Sequence, residues 1–316
     1  MPIPNFFVVG APKAGTDLLY YELDRHPEIY MSPLKEPCFY SSEIRRENFD
    51  AAIREQMMQA EEATRQYIAG PMQQKRFGGI VSRREDYERL FAGVRGEKAI
   101  GEGSVCYLWS STAPYAIAND NPKARVVVVL MDPAERAFHQ YLKSVSDGTV
   151  GHAFHKHLDM AMACDQQKLG VFHPFLDFGN YASQVRRYQE CFSATQIHLS
   201  LYEETQADRG AWLERIFAFL NVDCSYRPGP IEVPSTPHVP RFAGLSYALR
   251  LRQLKALAKQ ILPKSMLDAA RKKQATREHV LPVLAPEDRA RLVHYYREDI
   301  LRLQELIDRD LSAWLQ

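Results

Sequence analysis

The run Phe6-Phe7-Val8-Val9-Gly10 passes through the turn Ala11-Pro12-Lys13-Ala14-Gly15-Thr16 into an amphipathic stretch from Asp17 to His26. A Phe- and Val-rich run, a glycine-bounded turn and then helical apolar spacing read as strand, loop and helix. No other segment constrains the fold as strongly. Two further apolar runs, RVVVVL at 125–130 and IHLSLY at 197–202, repeat the strand signal, and Ala99-Ile100 leads into GEGSVCYL. Helical spacing is expected over 112–119, 134–145, 180–192, 210–220, 245–260 and 286–315. The charged stretch 43–95 reads as helical with a break at Gly78-Gly79, whereas 148–179 shows no clear period and reads as an insertion or lid. Strands alternating with helices place the chain in the α/β class, as a parallel sheet flanked by helices. One domain with insertions is expected over the 316 residues, the stretches 43–95 and 148–180 lying on the acceptor side of any site.

Hydrophobic residues make up 46% of the chain and charged residues 25%, ordinary usage that excludes a disordered chain or a collagen. No apolar run approaches the ~20 residues that span a bilayer, so no transmembrane segment is expected. The start carries no cationic region followed by a long apolar stretch and does not read as a signal peptide. Cys38, Cys106, Cys164, Cys191 and Cys224 are odd in number and form no CxxC, which suits free thiols and a cytoplasmic location. A net charge of +1 gives no reason to expect a nucleic-acid partner. One segment departs from that balance. Arg241 to Arg277 holds ten Lys or Arg against the single acid Asp268, a run that suits either a solvated basic face or an anionic partner.

The turn after the first strand has the makings of an anion site. Backbone N–H groups and the positive end of a helix converge there, Lys13 adds a point charge, and Thr16 adds a hydroxyl that also suits an N-cap. A plain structural turn is the competing reading. The spacing is not G-x-x-x-x-G-K-[ST], so this is not a standard ATP loop. His152, His155 and His157 cluster, but no third ligand follows at metal spacing, and a solvent-facing loop cluster is expected instead of a metal site.

At this level the chain resembles the sulfotransferases that use 3′-phosphoadenosine-5′-phosphosulfate (PAPS), in their bacterial and heparan-type branch. PKAGT resembles their 5′-phosphosulfate loop, LKEPCFYSSE their KE-x-HFF segment, and AIGEGSVCYL their GE-x-S-x-x-YL segment. RVVVVLMDPAERAFHQYL is similar to the strand–helix element that binds the 3′-phosphate. LSLYEET, WLERIFAFLNVD and the tail LVHYYREDILRLQELIDRDLSAWL complete an ordered set from residue 6 to residue 315.

The resemblance implies a P-loop-like sulfotransferase fold, PAPS as co-substrate and no metal. It implies sulfuryl transfer to a hydroxyl, or less readily an amine, of a saccharide or small-molecule acceptor. Lys13, Ala14, Gly15, Thr16 and Asp17 would line the donor phosphosulfate, with Lys13 at the transferring group. Glu36 matches the glutamate that acts as base; its bland alternative is a surface Glu paired with Lys35. Phe39 and Tyr40 would wall the acceptor site or simply join the core. Glu102 would be a second acid/base, an orienter of Lys13, or a structural Glu. Arg241, in the loop that closes over the nucleotide (part of 233–280), is the candidate cover residue. Arg136 is expected to brace the fold.

The chain also departs from the family pattern. Met131 stands where most members carry the arginine that grips the 3′-phosphate, and His139 where they carry its serine partner. Each such charge-assisted bond contributes roughly 1.5–3 kcal/mol. His139 is the candidate replacement, as a hydrogen-bond donor. Asp17 replaces a common Thr or Ser, and Gly103 a lysine near the acceptor. Two other readings compete: a phosphoryl transferase using Asp132 for Mg²⁺, and a non-catalytic anion-binding descendant of the fold. Tail residues Leu292, Tyr295, Tyr296, Ile300, Leu303, Leu306 and Ile307 read as a core stripe.

Overall fold

The computed structural model describes residues 3–164, 168–171, 173–229 and 282–316. Its centre is a five-stranded sheet with every neighbouring pair parallel. In chain order the elements are β1 (Phe6–Gly10), α1 (Thr16–Asp24), β2 (Ile29–Met31), β3 (Leu34–Lys35), α2 (Ala51–Ala69), β4 (Arg76–Phe77), α3 (Arg84–Arg89) and β5 (Ala99–Gly103). They continue with α4 (Cys106–Trp109), α5 (Ala113–Asp120), β6 (Arg125–Leu130), α6 (Pro133–Ser146), α7 (Phe154–Met162), α8 (Tyr181–Cys191), β7 (Ile197–Leu201), α9 (Tyr202–Ala207) and α10 (Arg209–Leu220). After the residues not described comes α11 (Pro286–Ile307).

The sheet order is β2-β5-β1-β6-β7. Helices cover both sides, so the central strands β1 and β6 carry no polar face. Every residue of β1 is buried, and Val126 to Val129 of β6 are fully so. Such strands read as continuous apolar runs, which is why they stand out in the sequence. The chain leaves β1 for β2 on one edge, returns to β5 beside β1, and then crosses to β6 on the other side. In open α/β sheets, ligands bind in the crevice beyond the carboxyl ends of the strands where the order reverses. Here that point is the end of β1. A two-stranded parallel ladder, β3 with β4, pairs Leu34 with Arg76 and Lys35 with Phe77.

Three expectations need correction. The stretch 43–95 is not continuously helical, since β4 interrupts it just before the expected glycine break. The stretch 148–179 contains α7, which buries Phe154, His157, Leu158 and Ala161. That spacing is helical, and it hides in the sequence because a histidine occupies one position of the stripe. Tyr295 is 38% exposed and lies off the core stripe of α11, whose buried apolar residues are Leu292, Tyr296, Ile300 and Leu303. The expected helix at 245–260, the loop 233–280 and Arg241 lie outside the described residues. Among the described residues, no helix is long and apolar enough to cross a membrane.

Candidate active site

The loop after β1 is shaped by close approach. A Cβ on Gly10 would lie 2.7 Å from the Val129 carbonyl oxygen and 2.9 Å from Thr16 Cγ2. Gly15 adopts φ 85°, and a Cβ there would meet the Tyr202 ring at 2.8 Å. Lys13 also has positive φ, at 73°. Non-glycine residues seldom hold that conformation unless their surroundings impose it. Gly15, not Thr16, occupies the N-cap of α1, and no side chain caps this helix. Thr16 is its first helical residue and is buried, so the expected capping role is corrected. The first-turn N–H groups of α1 therefore keep the donor character that suits an anion.

Lys13 is held below its ordinary pKa. Burial is the main cause, Asp17 opposes it, and the neighbouring Lys143 and Lys35 add to it. His139 is likewise lowered, by burial and then by Lys13. Its imidazole is thus pushed away from the charged form. His139 and Lys143 are four residues apart on α6, the spacing that puts two side chains on one helix face. Sequence reasoning singled out the first and missed the second.

The other half of the site hangs on β3. Lys35 is 2% exposed, and its ammonium lies 2.7 Å from Asp17 Oδ1 and 2.6 Å from Glu36 Oε1. Burial alone would lower its pKa, but Glu36 and Asp17 outweigh that and hold it above the ordinary lysine value. Asp17 therefore points to Lys35, which neutralises the carboxylate at the start of α1. Glu36 has φ 67° and Cys38 φ 55°. The Glu36 N–H donates to the Gly103 carbonyl at 2.8 Å, and its Oε2 accepts from Val105 N–H at 2.8 Å. The surface pair with Lys35 foreseen as the bland alternative exists, but on a lysine that is buried and shared with α1.

Beneath this segment lies Glu102, fully buried at the end of β5. Its Oε1 accepts from Tyr87 at 2.9 Å and Tyr107 at 2.8 Å, and its Oε2 from Ser104 at 3.0 Å. Burial pushes its pKa up to about 7, against the pull of the three hydroxyls. Two of those hydroxyls accept in turn from the next backbone segment, Ser104 from Cys38 N–H and Tyr107 from Tyr40 N–H, each at 3.2 Å. Glu102 thus anchors the turn that carries Glu36. Among the described residues its carboxylate bonds Tyr87, Tyr107 and Ser104 and not Lys13, so its support is given to the base side of the site.

Several other sequence candidates are placed differently. Tyr40 is buried and bonds Asp120, while Phe39 stacks on Tyr87 at 4.3 Å with the Arg84 guanidinium 5.0 Å from its centroid. Tyr40 thus belongs to the packed aromatic core, and Phe39 is partly buried against it. Arg136 is fully buried and donates to the Phe175 carbonyl at 2.7 Å, bracing the fold. Met131 is buried, with its carbonyl accepting from Tyr181. His157 packs against Phe175 and Tyr141, and its ring nitrogen meets His152 at 3.2 Å. His155 is exposed, so the HxH pair faces two directions and is no loop cluster. Among the described residues, no group of three His, Cys, Asp or Glu is placed to hold a metal ion.

The sequence profile described as Sulfotransferase family matches residues 4–226. The chain belongs to the sulfotransferase family. It is 24% identical over 258 residues to rat (Rattus norvegicus) carbohydrate sulfotransferase 15, a match covering 70% of this chain and 44% of that protein. It is 24% identical over 322 residues to mouse (Mus musculus) bifunctional heparan sulfate N-deacetylase/N-sulfotransferase 4, covering 99% of this chain and 31% of that one. The chain thus spans less than half the length of these sulfotransferase relatives. The crystal structure of a sulfotransferase from Alicyclobacillus acidocaldarius superposes with a TM-score of 0.70 at 26% identity, covering 100% of both chains. The flanked parallel sheet is the sulfotransferase fold.

Proposed function

We propose that this chain transfers a sulfuryl group from PAPS to a hydroxyl of a saccharide or small-molecule acceptor. The observation that carries the proposal is the chain of ion pairs Asp17–Lys35–Glu36, which ties the helix of the anion loop to the candidate base. It places a carboxylate and an uncapped helix start at the same edge of the sheet, and both Lys13 and Glu36 are held in the left-handed region.

The donor is a substrate, and it supplies an electrophilic sulfur bonded to a phosphate oxygen. We assign Lys13, Ala14 and the N–H groups of Gly15, Thr16 and Asp17 to its phosphosulfate, the Ala14 N–H itself closing the turn on the Ala11 carbonyl at 3.1 Å. Glu36 accepts the acceptor's proton as the acceptor oxygen bonds to sulfur. The bond from sulfur to the bridging phosphate oxygen breaks, and the electron pair stays on the leaving phosphate. Lys13 stabilises the charge that grows there. Lys35 and the Val105 N–H orient the Glu36 carboxylate, and the Glu102 network holds its backbone. We assign a second anionic group to His139, whose charged form burial and Lys13 disfavour, and to Lys143, which is paired with Asp147. Arg241 remains the proposed cover residue.

Asp132, the candidate Mg²⁺ ligand of a phosphoryl transferase, is engaged otherwise. It caps α6 and binds Arg289 at 2.7 Å. Calorimetry with 3′-phosphoadenosine-5′-phosphate (PAP) and with its analogue lacking the 3′-phosphate tests the reading. Binding that needs both the 3′-phosphate and Lys13 is expected; equal binding of the two nucleotides, or none, overturns the donor assignment.

A further inference from the structure

An aromatic ledge lies beside the candidate base, built from residues that no motif singles out. Phe77, in register with Lys35 across β3–β4, is 41% exposed. Tyr21, one turn after Asp17 on α1, sets its ring 5.2 Å from that of Phe77 with 33° between their planes. Tyr20 lies under both, fully buried, in edge contact at 5.6 Å with Phe77 and 5.8 Å with Tyr21. Its hydroxyl is tied to the Ser32 carbonyl. The ledge is therefore fixed from below. Beside it the space is open, since a Cβ on Gly78 would meet nothing within 4 Å. Lys35 Nζ lies 5.8 Å from the Phe77 centroid and 2.6 Å from Glu36 Oε1, so ring and base flank one ammonium.

We propose that Phe77 and Tyr21 form an acceptor subsite on which an uncharged saccharide ring stacks, presenting one hydroxyl to Glu36. The proposal rests on the sulfuryl-transfer reading above and narrows its acceptor to a sugar. Three observations favour that class. A small apolar phenol gains affinity by having most of its surface enclosed, whereas this ledge covers one face and leaves the other wet, as a hydroxyl-rich ring requires. Asp17 and Glu36 offer carboxylate oxygens to hydroxyl donors, and Tyr21 offers a phenol hydroxyl whose pKa burial, then Asp17, raises. The two carboxylates share Lys35, and Asp17 also acts on Lys13, so this face carries no excess of positive charge to draw an anionic ring.

The test is saturation-transfer NMR without donor, using cellotetraose and chitotetraose as probes and 2-naphthol as the planar aromatic control. Wild type, Phe77→Ala and Phe77→Trp are compared, with thermal midpoints confirming that each variant is folded. Wild type is expected to saturate the ring C–H protons of the sugars. Phe77→Ala is expected to weaken that binding about tenfold, and Phe77→Trp to retain it within about threefold. No saturation of either sugar, equal binding by Phe77→Ala, or binding of 2-naphthol in place of the sugars overturns the proposal. PAP calorimetry on the same samples reads the donor site separately. A wild type that binds sugar through Phe77 but does not bind PAP upholds the ledge and overturns the donor reading.

Discussion

Strands β1 and β6 lie side by side, and each hands the chain to a helix at the same edge of the sheet. The two helix starts have opposite fates. At α6, Asp132 Oδ1 accepts from Ala134 N–H at 2.8 Å, Pro133 removes another donor, and Arg289 binds the second carboxylate oxygen. At α1 the cap position is a left-handed glycine, no side chain accepts from the first turn, and Lys13 stands just before it. Any helix start is a row of donors with a positive dipole. Whether it serves the fold or a ligand depends on whether the chain supplies its own oxygen. The α6 start is satisfied internally, whereas no side chain among the described residues caps the α1 start, which we propose is left for an anion.

That contrast can be broken at either end. The largest effect is expected from Lys13→Ala, which removes the charge at the open start. We expect sulfuryl transfer to fall by roughly 10²–10³-fold, with PAP affinity falling alongside, measured by single-turnover rates and calorimetry. Glu36→Gln is expected to lower kcat about 10²–10⁴-fold while leaving PAP affinity nearly unchanged, because its contacts lie with Lys35 and Val105 and not in the loop. Equal losses in PAP affinity would place Glu36 in donor binding and refute its role as base. Asp132→Ala attacks the closed start instead. It is expected to cost about 1–2 kcal/mol of stability in chemical unfolding, with PAP affinity unaltered; a change in affinity would mean the two starts are not independent.

The smallest effect is a pH dependence from Glu102. Its folded value of about 7 lies above the ordinary 4.5. The native state therefore holds this proton more tightly than the unfolded chain does. The contribution to stability is fully present below the unfolded value and is lost as pH rises through about 7. Glu102→Gln does not titrate, so wild type is expected to gain on the variant as pH is lowered from 7 towards 4.5. Thermal melts of both proteins across that range check it, and parallel profiles would show that Glu102 does not titrate there.

Strands β1 and β6 are legible in the sequence because burial on both faces leaves them almost wholly apolar, with Arg125 at the start of β6 as the exception. The loop is legible because Gly10, Lys13 and Gly15 stand at fixed offsets after such a strand. Helix α7 is not, because His157 sits inside its apolar stripe, buried against Phe175. The aromatics show the same limit more sharply. Tyr40, close to Glu36 in the chain, is packed away, while Phe77, far from it in the chain, is exposed. Nothing in a phenylalanine's local sequence states which neighbours will cover its ring. Lys35 reads as an ordinary charged residue until folding buries it between two carboxylates.

The βα start, the glycine that caps its helix and Lys13 in the loop are readable from the primary structure, since they follow from local propensity and steric fit. What surrounds that loop is a matter of the folded chain. Glu36 meets Val105 N–H across 69 residues, and Lys35 joins α1 to the base through space. Those contacts exist because the sheet order sets β5 beside β1 and gathers the strand ends at one edge. An ion pair or a strained turn is stable only when packing from distant segments holds it, and no local pattern encodes that packing.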